Sequence, residues 1–462
     1  MTHSLPTIEA RSIGASVLIT SHHSSLPDIG KLCPPFRSIW KGVPGSTGQI
    51  AGTFAPIYTS AVNIPTVSIP PSWMPILKAL AKRATGADAP PPTILLAGSK
   101  GAGKSTLSRI LLNMLLTTAG LDAVAYLDVD PGQPEFSPPG TISLSLVHSP
   151  VLGPPFTHSP SWTRCHHIGY TSPREDPGHY MRAIIDLLSA HRQSHPAVPL
   201  LVNTAGWIKA LGLELLQDII ANCQATDIVF LGASAQAVAE IIPPNTGAVL
   251  HELPSVAPPS TKFTPADLRA LHTMAYFRQG PDFSSSTPLT GFAPWVIPYT
   301  GTDRGVDAVH ILGEIAIAAD ELRTAIEGTI VAIVVVAEHH LPPPATTTEL
   351  LPPILETALS PQVADCKGLG VIRAIDTANG HIHLVSPIAE AEIEDWERQG
   401  KRVVLVRGRL ELPAWEMLLP VGGKEEELPW TSTGKHVGRG AVWKVRRNVM
   451  RRGHVLKSSP DK

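Results

Sequence analysis

The chain has few of the patterns that define disulfide-stapled or membrane-spanning proteins. Its four cysteines, Cys33, Cys165, Cys223 and Cys366, are scattered over 462 residues without a C-x-x-C pair. This spacing argues against a disulfide framework and a cysteine-based zinc site, and it favours a reducing compartment. The longest apolar run, TIVAIVVVA at 329–337, is far shorter than the ~20 residues that a transmembrane helix needs. It predicts a buried strand, and no membrane association is expected.

Strong charge of either sign is also lacking in the chain as a whole. The net charge is −2, so the overall charge gives no indication that the protein binds nucleic acid. The charge is uneven, however, because nine Lys or Arg residues and one acid lie between Lys435 and Lys462. Such a tail either contacts phosphate, an acidic partner or an import receptor, or is a solvated end. The opening MTHSLPTIEARSIGASVLIT lacks the basic-then-apolar pattern of a secretory signal.

Changes of periodicity divide the chain into three parts. Residues 1–75 contain short β-like runs such as ASVLIT and predict a β-rich N-terminal domain. Between 76 and 285 strand-like and helix-like segments alternate, which predicts crossover units and a parallel sheet. Residues 286–462 return to β-type runs and predict a β-rich C-terminal domain that ends in the basic tail. The expected fold class is α/β, with smaller β-rich domains on both sides of the central domain.

The most complete motif is GSKGAGKST at 98–106, directly after the apolar run TILL. It matches G-x-x-x-x-G-K-[ST], and the following LSRILLNMLL has helical spacing of apolar residues. Strand, glycine loop and helix form a P-loop, in which backbone N–H groups and the start of the helix bind phosphate. We expect Lys104 to reach the β- and γ-phosphates of ATP and Ser105 to hold Mg²⁺. The predicted nucleotide-binding residues are Gly98, Ser99, Lys100, Gly101, Ala102, Gly103, Lys104, Ser105 and Thr106.

A second polar motif, VAYLDVDPGQPEF at 124–136, follows the next predicted strand. Asp128 and Asp130 are two residues apart and would point to the same face of an extended strand. Both are therefore expected to face the phosphate end of the site. One carboxylate would serve the metal and the other would accept a proton from an attacking hydroxyl, and the sequence does not assign which. Gln133 follows the turn and is placed to donate a hydrogen bond.

Taken together, these segments resemble the polynucleotide 5′-hydroxyl kinase family. DVDPGQPEFSPPG is similar to its D-x-D-x-G-Q signature, and LLVNTAGWIKALG at 201–213 is similar to its N-T-x-G-W-x-K-G segment. YTSPREDPGHYMRAI, DLRALHTMAYF, CPPFRSIW and CKGLGVIRAIDT look closer to the branch that processes pre-ribosomal RNA. The chain departs from the family at Ala210, where Gly is usual, and at Ala205, where Met or Cys is usual. Its N-terminal segment is short for that branch, so N-terminal contacts and targeting are not implied.

The resemblance implies an ATP-dependent kinase that phosphorylates 5′-hydroxyl ends of RNA during processing of the internal spacer of pre-rRNA. Asp130 matches the base that acts on the RNA hydroxyl, and Arg269 lies where the family has a mobile lid. The implied catalytic residues are Lys104, Asp128, Asp130, Gln133 and Arg269. The implied substrate-binding residues are Arg174, Thr204, Trp207 and Lys209, and Ser105 and Asp128 are the expected Mg²⁺ ligands.

Three of these residues have a second interpretation from the sequence alone. Trp207 follows Gly206 on a predicted loop, where an indole either stacks on a base or packs into the core. Arg174 either contacts substrate phosphate or forms a salt bridge within a turn. Arg269 is otherwise a solvated residue of a helix.

The resemblance also implies partners and a location. The partners are ATP, RNA with a 5′-hydroxyl end and a dedicated pre-rRNA endonuclease, and the location is the nucleus and its nucleolus. The alternative is a kinase or an ATP-bound scaffold subunit of the pre-mRNA cleavage and polyadenylation complex.

Overall fold

The computed structural model describes most of the chain between residues 29 and 417. The described ranges are 29–37, 39, 69–86, 90–158, 161–232, 241–242, 246–256, 263–279, 287–301, 304–313, 317–341 and 351–417. Most of the predicted N-terminal β-rich domain and all of the basic tail lie outside these ranges. The described part of 1–75 contains the short helix α1 (Ile29–Leu32) and the start of α2 (Trp73–Ala84).

The first sheet contains seven strands. They are β1 (Thr93–Gly98), β2 (Val124–Asp128), β3 (Thr141–Val147), β4 (Arg164–His167), β5 (Leu200–Asn203), β6 (Asp227–Leu231) and β7 (Val249–Leu253). Their order is β4-β3-β2-β5-β1-β6-β7. The five strands from β2 to β7 in this order pair in parallel, whereas β3 is antiparallel to both β2 and β4. Strand β4 therefore runs in the direction of β2, and its carboxyl end lies at the same edge.

Helices cover both faces of this sheet, as the alternating pattern predicts. Helices α2 and α3 (Lys104–Thr117) pack on one face, and α4 (Pro177–Ser194) and α5 (Leu211–Cys223) pack on the other. Every residue of β2 and β6 is buried, which explains why these strands are continuous apolar runs. The predicted α/β fold with a mainly parallel sheet is confirmed.

The antiparallel strand β3 is an addition that the alternation of elements did not predict. The connection from β2 to β3 spans residues 129–140 and contains four prolines and no helix. A parallel return normally needs a helical crossover. The chain therefore comes back antiparallel, and a second reversal produces β4.

Helix α6 (Pro265–Tyr276) follows the first sheet and contains most of the segment DLRALHTMAYF. Thr264 and Asp267 form a capping box at its start, which satisfies two backbone N–H groups. Its buried residues Leu271 and Met274 pack with Ile29 and Phe36.

The second sheet also has seven strands. They are β8 (Trp295–Pro298), β9 (Ala308–Ile311), β10 (Ile330–Ala337), β11 (Ile354–Leu355), β12 (Ala364–Asp376), β13 (His381–Val385) and β14 (Lys401–Arg407). Their order is β11-β9-β14-β10-β12-β13-β8, and the pairs β11–β9 and β9–β14 are parallel. The remaining pairs are antiparallel. The predicted buried strand TIVAIVVVA is the central strand β10.

Short helices close one face of the second sheet. Helices α7 (Leu322–Ile326) and α8 (Glu390–Arg398) pack there, and the other face receives Tyr276 and Phe277 from the end of α6. Both sheets belong to one unit of the chain, and the domain boundaries at 75 and 285 stay a prediction. Among the described helices, none has the length and apolar character to cross a bilayer.

A buried ion pair ties the end of α6 to the last described residues. Both Arg278 and Glu416 have fully buried side chains, and Nη2 of Arg278 donates to Oε2 of Glu416 at 2.9 Å. The same carboxylate accepts the N–H of Leu289 at 3.1 Å. Burial raises the pKa of Glu416, and the guanidinium of Arg278 opposes that rise.

We expect Glu416→Ala to lower the free energy of unfolding by about 3–5 kcal/mol, because it leaves a buried guanidinium without its counter-ion. Urea denaturation measures the change. The double variant Arg278→Met, Glu416→Leu should recover much of the loss, since it removes both charges. A loss below about 1 kcal/mol in Glu416→Ala would contradict the assignment of a structural ion pair.

Candidate active site

Four loops lie along the edge formed by the carboxyl ends of the first sheet. We call them the arginine loop (168–176, after β4), the acidic loop (129–136, after β2), the tryptophan loop (204–210, after β5) and the phosphate loop (99–103, after β1). The strand order places them across the edge in that sequence. All residues that the sequence singled out lie on these loops or next to them, except Arg269.

The phosphate loop depends on glycine at the points where it turns. Gly101 and Gly103 have φ angles of 77° and 105°, which other residues rarely adopt. A β-carbon at Gly98 would lie 2.6 Å from the carbonyl oxygen of Leu231. Ser99, Lys100, Ser105 and Thr106 are exposed around this turn, and α3 begins at Lys104. In a loop of this shape, backbone N–H groups and the start of the helix provide donors for an anion.

Lys104 is the central cation of this loop. Its side chain is only 7% exposed, and Nζ donates to the carbonyl oxygens of Gly98 at 2.8 Å and Ser99 at 3.0 Å. Burial lowers the pKa of Lys104 to about 8, and the nearby negative charge of Asp130 limits that decrease. A bound anion would therefore stabilise the charged form of Lys104.

Asp128 holds the acidic loop in shape. Its side chain is 1% exposed. Oδ1 accepts hydrogen bonds from the N–H of Asp130 at 3.1 Å and from Nδ2 of Asn203 at 3.2 Å, and Oδ2 accepts the N–H of Glu135 at 2.7 Å. Burial raises the pKa of Asp128, and the charge of Asp130 raises it further. The carboxylate therefore joins the beginning of the loop, its end and the neighbouring strand β5.

Asp130 has a different environment from Asp128, and the expectation that both carboxylates share one face stays a prediction. Strand β2 ends at Asp128, so the alternation of an extended strand does not continue to Asp130. Asp130 is partly exposed, and its Oδ1 accepts the N–H of Gly132 at 2.9 Å. Burial raises the pKa of Asp130, while the hydrogen bonds from the loop and the charge of Lys104 act in the opposite direction. Of the two acids, Asp130 is the one that is both accessible and close to the phosphate loop.

Gln133 contributes its backbone to this arrangement. Its N–H group is among the hydrogen-bond donors that stabilise the Asp130 carboxylate, and its side chain is exposed. The predicted role of the Gln133 side chain stays a prediction.

Glu135 is a buried acid that the sequence analysis did not assign. It is 3% exposed, and its Oε1 lies 3.0 Å from Nε of Arg109 and 2.9 Å from Nε2 of His158. Burial raises its pKa, but the hydrogen bonds and charges of His158 and Arg109 outweigh that effect and leave the pKa below its usual value. Glu135 thus links the acidic loop to α3, the helix that follows the phosphate loop. Its only sequence signal was its place in the PEF triplet after the D-x-D-x-G-Q motif.

The tryptophan loop lies against the phosphate loop. A β-carbon at Gly206 would be 2.6 Å from Cα of Lys100 and 3.0 Å from Nζ of Lys104. The buried hydroxyl of Thr204 donates to the carbonyl oxygen of Leu96 at 2.7 Å, so its observed contact joins the loop to β1. The role of Thr204 toward substrate stays a prediction.

Trp207 lies partly buried over the first turn of α5. Its ring leaves room only for glycine at position 212, because a β-carbon there would be 2.3 Å from Cγ of Trp207. The ring also contacts the apolar cluster of α4 and α5 without being enclosed by it. Packing and stacking are therefore both compatible with its position. Lys209 is exposed two residues later.

Ala210 occupies a backbone conformation that favours glycine. Its φ and ψ angles are 50° and −133°, immediately before α5 begins. A β-carbon in this region is strained by about 1–3 kcal/mol. This strain gives a physical reason for the glycine that the resemblance implies here.

Arg174 and Arg269 are the remaining two predicted site residues, and only Arg174 lies on one of the four loops. Arg174 is exposed on the arginine loop, whose Thr171 carbonyl oxygen would be 3.0 Å from a β-carbon at Gly132. Arg269 is half-buried on α6, and no hydrogen bond or ion pair of the described residues joins it to the phosphate loop. No group of three or more His, Cys, Asp or Glu side chains in the described ranges is arranged to hold a metal by itself.

Comparison with known proteins agrees with this geometry. Residues 98–279 match the family model described as "mRNA cleavage and polyadenylation factor CLP1 P-loop". The chain is 32% identical to polynucleotide 5′-hydroxyl-kinase grc3 of Aspergillus oryzae, over 90% of this chain and 61% of that protein. It is 32% identical to polynucleotide 5′-hydroxyl-kinase GRC3 of Gibberella zeae, over 86% of this chain and 62% of that protein. The chain thus spans somewhat less than two thirds of the length of these relatives.

A solved structure shares the fold. The structure of the wild-type Clp1p–Pcf11p complex matches with a TM-score of 0.51 and 15% identity, over 72% of this chain and 78% of that chain. At this identity the match concerns the fold alone. The P-loop, the acidic loop and the relatives together confirm the resemblance to the polynucleotide 5′-hydroxyl kinases, and residues 98–279 are similar to the CLP1 P-loop family model.

Proposed function

We propose that the protein is an ATP-dependent kinase that transfers the γ-phosphoryl group to the 5′-hydroxyl end of RNA. The observation that carries this proposal is that the acidic, phosphate and tryptophan loops meet at one edge of the sheet. Asp130 on the acidic loop faces the charge of Lys104 on the phosphate loop, and the tryptophan loop closes on the same lysine at Gly206. An acid, a phosphate-binding cation and an aromatic ring thus surround one reaction centre.

The phosphate loop would bind the nucleotide. The ammonium of Lys104 now donates to two carbonyl oxygens, and the anionic oxygens of a phosphate are stronger acceptors. The start of α3 and backbone N–H groups of the phosphate loop would add partial positive charge. Phosphate binding would therefore charge and hold Lys104 at the place where negative charge develops during transfer.

The site fits the Mg²⁺ ion that accompanies ATP in P-loop kinases. Ser105 is exposed at the first turn of α3, and its hydroxyl would hold the ion. Bound Mg²⁺ would neutralise charge on the transferring phosphoryl group. Asp128, which was the expected ligand, already accepts three hydrogen bonds and is better suited to orient the loop.

Asp130 would accept the proton of the attacking hydroxyl. Burial raises its pKa, which strengthens it as a base, and the Gly132 hydrogen bond holds it in one orientation. Trp207 would stack on the terminal base, and Lys209 and Arg174 would contact RNA phosphates. Arg269 would belong to a segment that approaches the phosphates during catalysis, as the resemblance implies.

We place this activity in the processing of pre-rRNA internal spacers, in the nucleolus, beside an endonuclease that leaves 5′-hydroxyl ends. Relatives named polynucleotide 5′-hydroxyl-kinase grc3 support the kinase activity, and the placement depends on the sequence segments that resemble the pre-rRNA branch. The description of the matching family model favours the alternative, a subunit of the mRNA cleavage complex.

Transfer of labelled γ-phosphate from ATP to a 5′-hydroxyl oligonucleotide tests the activity, and proteins that co-purify from the native cell distinguish the two settings. A nuclease supports the first, and polyadenylation factors support the second. Purified protein that hydrolyses ATP but never labels the oligonucleotide would contradict the kinase proposal.

Nucleotide affinity is expected to fall as the pH rises above about 8. Below that pH Lys104 is already charged, whereas above it the free protein must take up a proton in order to bind phosphate. The loss should approach about tenfold per pH unit, measured by calorimetry between about pH 6.5 and about pH 9.5. Lys104→Met should abolish transfer and remove this pH dependence. The same slope in wild type and Lys104→Met would assign the dependence to another group.

Asp130→Asn should lower kcat by about 10²–10⁴-fold with little change in ATP affinity, since a base acts in the transition state. Asp128→Asn should instead lower the free energy of unfolding by about 1–3 kcal/mol, because its two oxygens hold three donors. Single-turnover transfer and urea denaturation separate the two effects. A stable but inactive Asp128→Asn together with an active Asp130→Asn would exchange the two roles.

Trp207→Ala should raise the KM for short 5′-hydroxyl RNA by roughly 5–150-fold and leave ATP affinity unchanged, which corresponds to ~1–3 kcal/mol of stacking. Trp207→Phe is the matched control, because it keeps an aromatic face. Unchanged kinetics in Trp207→Ala with reduced stability would make Trp207 a packing residue.

A further inference from the structure

The second sheet reaches the active-site edge through Gly408, Arg409 and Leu410, which directly follow β14. The backbone N–H of Arg409 donates to the carbonyl oxygen of Gly169 at 2.7 Å. A β-carbon at Gly408 would lie 2.3 Å from Cα of Gly169, and one at Gly140 would lie 2.5 Å from Cδ2 of Leu410. Only glycine permits these approaches, so the end of β14 is held closely against the arginine loop.

The side chain of Arg409 is largely exposed beside the arginine loop. It is 60% exposed, and its guanidinium carbon lies 5.8 Å from the ring centre of Tyr170. Its Nη1 is 3.6 Å from Oε2 of Glu175, which is itself 47% exposed. Exposed pairs with this separation contribute little to stability. A phosphate group can therefore replace Glu175 as the partner of Arg409 while the Tyr170 ring keeps the guanidinium in place.

A short series of contacts connects Arg409 to the proposed base. Tyr170 precedes Thr171, whose carbonyl oxygen is 3.0 Å from the β-carbon position of Gly132. The N–H of Gly132 in turn donates to Asp130. Arg409 thus lies next to the loop that orients Asp130.

The order of the loops along the sheet edge indicates on which side of Asp130 the acceptor strand would lie. The arginine loop lies on the side of the acidic loop that faces away from the phosphate loop. In an in-line transfer the donor phosphate and the acceptor strand lie on opposite sides of the attacking oxygen. With ATP at the phosphate loop, the acceptor strand would leave Asp130 toward the arginine loop and Arg409.

Cations are concentrated along this route. Arg174 and Arg409 are both exposed, and Arg407 is half-buried two residues before Arg409. Burial lowers the pKa of Arg407, and the like charge of Arg409 lowers it further. Among the acids of the arginine loop, Asp176 is engaged in capping α4. Like charges held together on a fold are typical of a surface that binds an anion.

We propose that Arg409, together with Arg174, binds the backbone phosphates of the acceptor RNA strand downstream of its 5′-hydroxyl, so that the second sheet forms one wall of the RNA groove. This inference rests on the proposed kinase function and adds a substrate-binding residue from outside the P-loop domain.

The test compares two acceptors, a 5′-hydroxyl dinucleotide and an RNA of about 12 nucleotides, with wild type, Arg409→Ala and Arg398→Ala. Arg398 is a matched control because it is 70% exposed on α8. In Arg409→Ala the ratio of kcat/KM for the long acceptor to that for the dinucleotide should fall about tenfold. The salt dependence of RNA binding should weaken by about 0.7 in log–log slope, the contribution of one phosphate contact on a single strand. Arg409→Lys should restore the slope, and Arg398→Ala should match wild type.

The outcomes distinguish this inference from the kinase proposal. Wild-type protein that labels neither acceptor contradicts the kinase function, and fluorescence anisotropy with the same long RNA still measures the contribution of Arg409 to binding. If the kinase is active but Arg409→Ala equals Arg398→Ala in both length ratio and salt slope, the proposed wall is wrong. Equal denaturation midpoints for the three proteins exclude unfolding as the cause of a loss.

Discussion

The carboxylate of Asp128 is the constraint on which the site depends. It lies at the end of β2, and its two oxygens accept hydrogen bonds from Asp130, Glu135 and Asn203. These bonds join the two ends of the acidic loop to each other and to the adjacent strand. The cost of burying this charge is offset only while all three donors are in place. The acidic loop, which contains two prolines and no regular secondary structure, thereby acquires one defined shape.

Asp130 and Lys104 acquire their properties from this frame. Because Asp128 holds the loop from beneath, Asp130 projects beyond the strand end toward the phosphate loop. Lys104 is buried, which lowers its pKa, and the charge of Asp130 partly compensates. Each group is less stable in its charged form than it would be in water. Bound phosphate would stabilise the charged form of Lys104, and protonation of Asp130 would remove its disfavoured charge. The free energy of binding would therefore act on the reacting groups themselves.

Close backbone contacts at glycines hold the loops of the site together more than side-chain hydrogen bonds do. Gly206 lets the tryptophan loop rest on the phosphate loop, and Gly132 lets the acidic loop meet the arginine loop. Gly169 and Gly408 then join the first sheet to the second. A substitution at any of these glycines would push two loops apart. The second sheet is in this way a structural support for the edge where we place the chemistry.

The sequence by itself determined the elements of the central domain and its phosphate loop, because these follow from local rules. Apolar runs predicted β1 and β2, helical spacing predicted α3, and alternating segments predicted the crossover units that follow. The motif G-x-x-x-x-G-K-[ST] requires one backbone shape wherever it lies between a strand and a helix. The alternation of elements implied a mainly parallel sheet with the loops at one edge. TIVAIVVVA was recognisable as a buried strand from its composition alone.

Only the tertiary structure decided how these parts act on one another. The different environments of Asp128 and Asp130 depend on where β2 stops and on Asn203, which is 75 residues away from Asp128 in sequence. Glu135 became a linking residue because Arg109 and His158 meet it in space. Arg409 is followed and preceded by ordinary strand and turn residues, and nothing local distinguishes it from other surface arginines. Its position beside Gly169 results from the packing of two sheets, and such long-range contacts are absent from any pattern of neighbouring residues.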